Sequence, residues 1–251
     1  MPYIGQQPAP KVITSSDLAD DVVTADKIGD TAISGFTALG ATPADTDELL
    51  VSDAGTLKRV DFSHLKGGGA FTKLITTTAS NSSTIEFTST YLTTAYQDYM
   101  VVCSGLRPAT DGGQDLYMRI STDGGSSFKS GSDYVYGLDG EDETSEFETD
   151  ANTGNSHFVL NNNQFGASTG EVGSTTLHIF DPLNQNSDNQ YFHFTMSTVN
   201  LNASSATMSQ SHGGGSYQES GSEDSVINGL QFFFASGNIS TGKITLYGRA
   251  T

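Results

Sequence analysis

The segment Gly242-Lys-Ile-Thr-Leu-Tyr-Gly248 carries the fold signal in its plainest form. Ile244 and Leu246 are separated by the polar Thr245, and a repeat of two residues is the side-chain period of a strand with one buried face. Seven similar segments precede it, with turns rich in Gly, Asn and Ser between them. The eight segments are 71–77, 83–87, 98–104, 116–121, 175–180, 191–199, 229–235 and 242–247. They show no helical period, so they predict an all-β fold with an antiparallel β-sandwich or jelly roll.

The composition of the 251 residues also favours strands. The charged fraction is 16%, against about 25% in an ordinary globular protein, and much of the polar surface is Ser, Thr, Asn and Gly. Thr and aromatic residues suit a pleated surface, while Gly and Asn supply turns. There is no Trp, and only 35% of the residues are hydrophobic, so the core depends on 14 Phe, 10 Tyr and scattered aliphatic residues.

Charge and cysteine content exclude several functional classes. The formal net charge is -18, from 29 acidic and 11 basic residues, which opposes binding to nucleic acid or to an anionic membrane. No apolar run approaches the roughly 20 residues that a membrane span needs, and the first residues do not resemble a signal peptide. Cys103 is the only cysteine, so an intramolecular disulfide and a Cys-based zinc site are excluded. We expect Cys103 to be a buried core residue.

The N-terminal residues favour an extended arm. Three prolines within residues 1–11 hold the chain extended, and a ten-residue repeat begins at Thr14. Its aliphatic positions are Leu18, Val23, Ile28 and Ile33. Repeats this short cannot bury these side chains within one chain, so the pattern predicts association with other chains or with a surface. We assign residues 1–36 to this arm.

A small connector follows the arm and ends at a glycine hinge. Residues 48–52 and 56–61 read as two strands around Asp53-Ala-Gly55, which predicts a β-hairpin with Gly at the position of positive φ. Gly67-Gly-Gly69 is a flexible break. The predicted connector therefore covers residues 37–69, and the sandwich domain covers residues 70–251.

Three N-terminal segments resemble those of a known family. They are Met1-Pro-Tyr-Ile-Gly-Gln-Gln-Pro-Ala-Pro10, Val23-Thr-Ala-Asp-Lys-Ile-Gly-Asp-Thr-Ala-Ile33 and Asp45-Thr-Asp-Glu-Leu-Leu-Val-Ser-Asp-Ala-Gly-Thr-Leu-Lys-Arg-Val60. They are similar to the N-terminal regions of tail-fibre and related virion structural proteins of marine tailed bacteriophages. The resemblance covers about the first quarter of the chain. It implies a homotrimer, made in the host cytoplasm and located in the phage particle, whose N-terminus binds other phage structural proteins.

Two polar motifs have structural interpretations. The segment Ser121-Thr-Asp-Gly-Gly-Ser-Ser-Phe128 fits an Asp-box turn, in which the Asp123 carboxylate accepts backbone amides and the aromatic residue anchors the turn in the core. A sialidase would need several copies and a cluster of arginines. The acidic run 139–150 lacks EF-hand spacing, so we interpret it as a solvated loop rather than a calcium site or a glycosidase carboxylate pair.

The five histidines are scattered, and none lies in a catalytic motif. His178 and His193 fall within predicted strands and can share a sheet face. His212 lies in Ser211-His-Gly-Gly-Gly-Ser216, which we interpret as a glycine loop. We therefore predict no catalytic residue, no metal site and no cofactor.

Candidate receptor contacts are Tyr136 and Tyr217. Tyr136 precedes the predicted long loop 137–156, and Tyr217 lies in the predicted long loop 200–227; both loops are rich in Gly, Ser, Asn, Asp and Glu. Loops on a rigid scaffold often carry binding residues, and an exposed tyrosine beside amides and carboxylates suits a sugar. The possible partner is a host surface glycan.

The leading hypothesis is a non-enzymatic tail fibre component that attaches by its N-terminus. A head fibre or capsid-decorating protein is the alternative within the same class. A polysaccharide-degrading tailspike enzyme is a second alternative, but it predicts long parallel β-helix repeats, which the sequence does not show. A secreted carbohydrate-binding module would normally carry a signal peptide or a catalytic domain.

Overall fold

A computed structural model of the chain describes residues 12, 14, 34–41, 43–65, 71–142, 147–183, 192–201, 207–219 and 225–250. The chain divides into two compact units, Met1–Lys66 and Gly67–Thr251. The aliphatic positions of the ten-residue repeat lie outside the described residues.

The N-terminal unit contains a two-stranded antiparallel hairpin. Strand β1 (Glu48–Asp53) pairs with β2 (Thr56–Asp61), and a 3-10 turn, Phe62–Leu65, follows. The φ angles of Ala54 and Gly55 are 49° and 85°, so both central turn residues are left-handed. Two such residues form a type I′ turn, whose twist matches that of the flanking strands. The predicted hairpin is confirmed.

The second unit is a sandwich of two antiparallel sheets. Its strands are β3 (Phe71–Thr78), β4 (Ile85–Phe87), β5 (Asp98–Pro108), β6 (Leu116–Ser121), β7 (Tyr134–Asp142), β8 (Phe147–Asn155), β9 (Phe158–Val159), β10 (Gly173–Phe180), β11 (Phe192–Leu201), β12 (Met208–Tyr217), β13 (Gly229–Phe234) and β14 (Ile239–Arg249). The large sheet has the order β3-β14-β5-β10-β11-β12-β7-β8, and the small sheet has the order β4-β13-β6-β9. Buried residues of both sheets form one hydrophobic core. The predicted all-β sandwich is confirmed.

Side-chain alternation determines which residues of each strand face the core and which face solvent. In β14, Ile244 and Leu246 are fully buried while Thr245 between them is partly exposed, as predicted. Cys103 on β5 is also fully buried, as predicted, and its burial raises the pKa of the thiol. In β10 the same alternation turns Thr175, Leu177 and Ile179 toward the core.

Four strands of the sandwich were not predicted: β7, β8, β9 and β12. The expectation of long loops is therefore wrong for most of 137–156 and, within 200–227, for residues 200–201 and 208–217. Strands β7 and β8 pair from Tyr134–Asn155 to Glu141–Phe147, and β12 pairs along its length with β11 and β7. The polar and glycine residues within 137–142, 147–155 and 208–217 lie on strands of the large sheet.

The glycine run 213–215 lies in β12 and is not a loop. A Cβ atom on Gly213 would lie 2.1 Å from the carbonyl oxygen of Gly137. One on Gly215 would lie 2.8 Å from the Phe158 ring and 2.8 Å from the carbonyl oxygen of Val135. The glycines are thus needed for close packing within the sandwich, since only Gly permits backbone to approach this closely.

We predict different effects on stability for two glycine-to-alanine substitutions in neighbouring strands. Gly215→Ala forces a methyl group against the Phe158 ring and against backbone, and we expect a loss of about 1–3 kcal/mol in the free energy of unfolding. Gly137→Ala is the matched control, since no atom lies within 4 Å of its Cβ position. We expect Gly137→Ala to be neutral or to gain up to about 1 kcal/mol from reduced unfolded-chain entropy. Denaturant unfolding measures both, and equal destabilisation would contradict the packing argument.

Candidate functional site

The two tyrosines predicted to contact a receptor are buried, so the prediction that they are exposed is wrong. Tyr136 is 5% exposed and Tyr217 is 2% exposed, because strand alternation turns both rings toward the core. Tyr217 packs edge-on against Tyr134, with ring centroids 4.9 Å apart. Burial raises the pKa of Tyr136 to about 12. Neither ring can stack on a sugar.

The Asp-box interpretation of residues 121–128 is confirmed as a turn held by one carboxylate. Asp123 Oδ1 accepts hydrogen bonds from Ser121 Oγ at 2.7 Å and from the Ser127 backbone N–H at 2.9 Å. Asp123 Oδ2 accepts from Ser127 Oγ at 2.6 Å. These donors, those of Ser127 foremost, lower the pKa of the Asp123 carboxyl well below its usual range. Phe128 is partly buried and lies outside the hydrophobic core, so its predicted anchoring role is wrong.

The acidic run 139–150 belongs to the β7–β8 hairpin, so its interpretation as a loop is wrong for the paired residues. Asp139 and Glu141 project from β7 and are exposed. Among the side chains that the structure describes, no group of three or more His, Cys, Asp or Glu lies close enough to hold a metal ion. Residues 143–146 lie outside the described part.

His157 belongs to an aromatic cluster on the outer face of the small sheet. Its ring stacks on Tyr117 with centroids 3.8 Å apart, and the Arg119 guanidinium lies 4.9 Å from the centre of the Phe233 ring. Burial, followed by the Arg119 charge, lowers the pKa of His157. In this cluster the side chains cover one another's faces, which favours a packing role.

His178 and His193 share the outer face of the large sheet, as expected. Phe180 is the partner of His193 across the β10–β11 pair, and His178 lies two residues before Phe180 on the same face. The Phe180 and His193 rings stack with centroids 5.4 Å apart. The His178 ring meets Phe71 edge-on at 5.9 Å. Four rings from three strands thus gather at one end of this face.

A pocket of about 170 Å³ lies among these side chains, and we call it the aromatic pocket. Its walls are formed by Phe71, Asp98, His178, Phe180 and Arg249. Tyr99 and Ile179, whose side chains are fully buried, also line it. The walls come from β3, β5, β10 and β14, which are adjacent in the large sheet. The Phe180 side chain remains 38% exposed despite its stacking on His193.

An ion pair fixes the polar side of the aromatic pocket. Arg249 Nη2 donates to Asp98 Oδ2, and the two residues are directly opposite in the β14–β5 pair. The Asp98 side chain is 9% exposed, whereas that of Arg249 is 45% exposed. The Asp181 backbone N–H donates to Asp98 Oδ1 at 3.2 Å. Asp98 is therefore held in place, while the Arg249 side chain stays partly exposed at the pocket.

A second pocket of about 300 Å³ is lined in part by sequence neighbours of the first pocket's residues, and we call it the adjoining pocket. It is lined by Thr94, Ala95, Tyr96, Gln97, Asp181 and Leu183. Gln97 and Asp181 directly neighbour Asp98 and Phe180 of the aromatic pocket, so the two pockets are consecutive along two chain segments. The φ of Asp181 is 42°, and a non-glycine residue in this conformation is often found where local strain serves a site.

The sequence contained part of the signal for this site. Strand periodicity placed His178 and His193 on one face, but it did not connect them with Phe71, Asp98 or Arg249. That connection depends on the order of strands in the large sheet, in which β14 and β5 lie between β3 and β10.

Comparison with protein-family models, with curated proteins and with solved structures gives no match to this chain. Within the part of the chain that the structure describes, no helix is long and apolar enough to cross a membrane.

We predict that Asp123→Asn destabilises the sandwich in a pH-dependent way. The folded-state pKa of Asp123 is depressed, so its contribution is complete well above the unfolded value of about 3.9 and declines as pH falls below it. The variant should therefore be less stable than the native protein at pH 7, with a smaller difference at pH 3. Urea unfolding at both pH values measures this. Asp139→Asn, an exposed carboxylate on β7, is the control, and an equal Asp123→Asn effect at both pH values would contradict the mechanism.

Proposed function

We propose that the chain is a non-enzymatic structural protein of a bacteriophage particle, a tail fibre component that attaches by its N-terminal unit and presents the β-sandwich to the host surface. The resemblance of the three N-terminal segments supports this proposal. The observation that carries it is the exposed apolar surface of the N-terminal unit, which is typical of a segment that functions in contact with other chains.

No described residue of the N-terminal unit is buried. Leu50 is 73% exposed and Leu57 is 69% exposed, and Phe36 and Leu39 are also largely exposed. An isolated two-stranded hairpin is marginally stable in water, because it has no core to bury its side chains. The unit therefore gains stability when another surface covers these residues.

The hairpin carries aliphatic side chains on both faces. Residues directly opposite in an antiparallel pair share a face, so Leu49 lies beside its partner Val60 on one face. Leu50 lies on the other face, as does Leu57, whose partner is Ser52. Burial of both faces requires two covering surfaces rather than one.

Charge does not prevent copies of the hairpin from approaching one another. Residues 48–61 contain three acidic and two basic side chains, while the whole chain has a net charge of -18. Arg59 Nη1 lies 2.6 Å from Glu48 Oε1, and Lys58 pairs with Asp53. The hairpin is thus nearly neutral, and four of its five charged side chains are paired within one chain.

These features support a homotrimer. A two-fold dimer joins one face to its own copy and leaves the other face uncovered. In a ring of three, one face of each hairpin meets the opposite face of the next, so both are covered. Trimerisation would also give the aliphatic positions of the N-terminal repeat partners on neighbouring chains.

We predict that the full chain is a trimer and that Leu49→Lys and Leu50→Lys each weaken it, because a lysine on either face would be buried against a neighbour. Native mass spectrometry and light scattering at micromolar concentration measure the assembly. Ser83→Lys, an exposed change in the sandwich, is the control and should leave the trimer intact. A stable native monomer, or disruption by only one of the two hairpin substitutions, would contradict the ring.

We also predict that residues 1–36 bind the phage particle. An extended segment with aliphatic positions buries more surface by docking than it can bury alone. Fused to an unrelated fluorescent protein, this segment should recruit that protein to particles lacking the fibre, whereas a scrambled segment of the same composition should not. Equal attachment by residues 70–251 alone would overturn the assignment.

A further inference from the structure

We propose that the aromatic pocket and the adjoining pocket together bind a neutral saccharide chain. The inference deepens the proposed function, on which it rests for the source of the ligand, a glycan of the host surface. The proposed sugar contacts are side chains that reach solvent, and they do not include the buried Tyr136 and Tyr217.

The aromatic walls suit the apolar face of a pyranose ring. A sugar presents C–H groups on one face and hydroxyls around its edge, and aromatic rings contact the former while leaving the latter free. Phe180 is the most favourable platform, since it is 38% exposed and its ring is held by stacking on His193. Phe71 and His178 form a second wall, in edge-on contact with each other.

The polar side of the aromatic pocket suits hydroxyl groups. Sugar hydroxyls donate and accept, and the Asp98–Arg249 pair offers carboxylate oxygens and guanidinium N–H groups side by side. The pair is fixed by the strand register and by the Asp181 N–H, so little ordering is needed on binding.

Charge favours a neutral ligand over an anionic one. The Arg249 charge is already paired with Asp98, and the chain as a whole carries a net charge of -18. A uronic acid or a phosphate would have to approach against this field without an unpaired cation in the pocket wall. Neutral sugars meet no such barrier.

Size favours more than one sugar unit. Pockets for drug-sized ligands usually enclose about 300–1,000 Å³, so the 170 Å³ of the aromatic pocket suits a single ring. The adjoining pocket offers a further 300 Å³ among residues next in sequence to Asp98 and Phe180. Its amide and carboxylate side chains, Gln97 and Asp181, and the partly exposed ring of Tyr96 have the same chemistry as the first pocket.

The test uses the imidazole signals of the full-length protein in NMR titrations with the methyl glycosides of glucose, galactose and mannose. Single sugar rings bind weakly, with dissociation constants on the order of 1 mM. We expect at least one glycoside to shift the His178 and His193 signals in a saturable way, while His64, His157 and His212 remain unchanged as internal controls. Absence of saturable shifts with every glycoside at about 50 mM, well above that range, would overturn the proposal. Stronger shifts with glucuronic acid or inorganic phosphate would overturn the neutral-ligand assignment.

Two substitutions at one position locate the contact. Phe180→Leu keeps apolar volume but removes the aromatic face, and we expect at least tenfold weaker binding, whereas Phe180→Tyr should retain it. Val199→Ala, an exposed apolar residue on the same sheet face, is the control and should bind like the native protein. Unchanged binding by Phe180→Leu would overturn the assignment. Neither titration depends on phage particles, and particle recruitment by residues 1–36 does not depend on the pocket, so the two proposals fail separately.

Discussion

The seating of Phe158 against the glycines of β12 is the contact on which the sandwich depends. Phe158 belongs to the small sheet, yet its ring lies 4.7 Å from Tyr134 and 4.7 Å from Phe194 of the large sheet. A chain without Trp and with few aliphatic residues must close its core with such inter-sheet aromatic contacts. The ring reaches this position only because Gly215 has no side chain, and the backbone of β12 can then lie close to its neighbours. The core thus requires β12, although its glycine-rich sequence is unusual for a strand.

This contact also explains which parts of the fold could be predicted. Strands such as β10 and β14 alternate apolar and polar residues, and their positions follow directly from that pattern. Strand β12 has Ser and Gly on its inner face, and β7 alternates Tyr136 and Leu138 with Gly and Asp, so both resemble loops by composition. A loop interpretation of these two strands predicts that their tyrosines, Tyr136 and Tyr217, are exposed. Burial of Tyr217 depends on a partner, Tyr134, that is 83 residues distant in the chain and is brought close only by the sheet order.

The candidate site was less accessible from sequence than the fold. Its side chains lie at strand ends, where periodicity says which face a residue takes but not which strand lies beside it. Asp98 and Arg249 meet because β5 and β14 are neighbours in register, and His178 reaches Phe71 across two intervening strands. The N-terminal hairpin was predictable because it is local, with both strands and the turn within fourteen residues. The two units also differ in packing. The sandwich fills its own core, whereas the hairpin leaves its aliphatic residues uncovered.

The single thiol of the chain can serve as a chemical probe of local opening in the sandwich. Cys103 sits on a central strand of the large sheet with no exposed surface, and its burial disfavours the thiolate, which is the reactive form. A thiol reagent can then modify the native protein only when the core around β5 opens. The modification rate, compared with that of the unfolded chain, yields the free energy of that opening without denaturant. Because the chain has no second cysteine, no other thiol competes with Cys103 in the measurement.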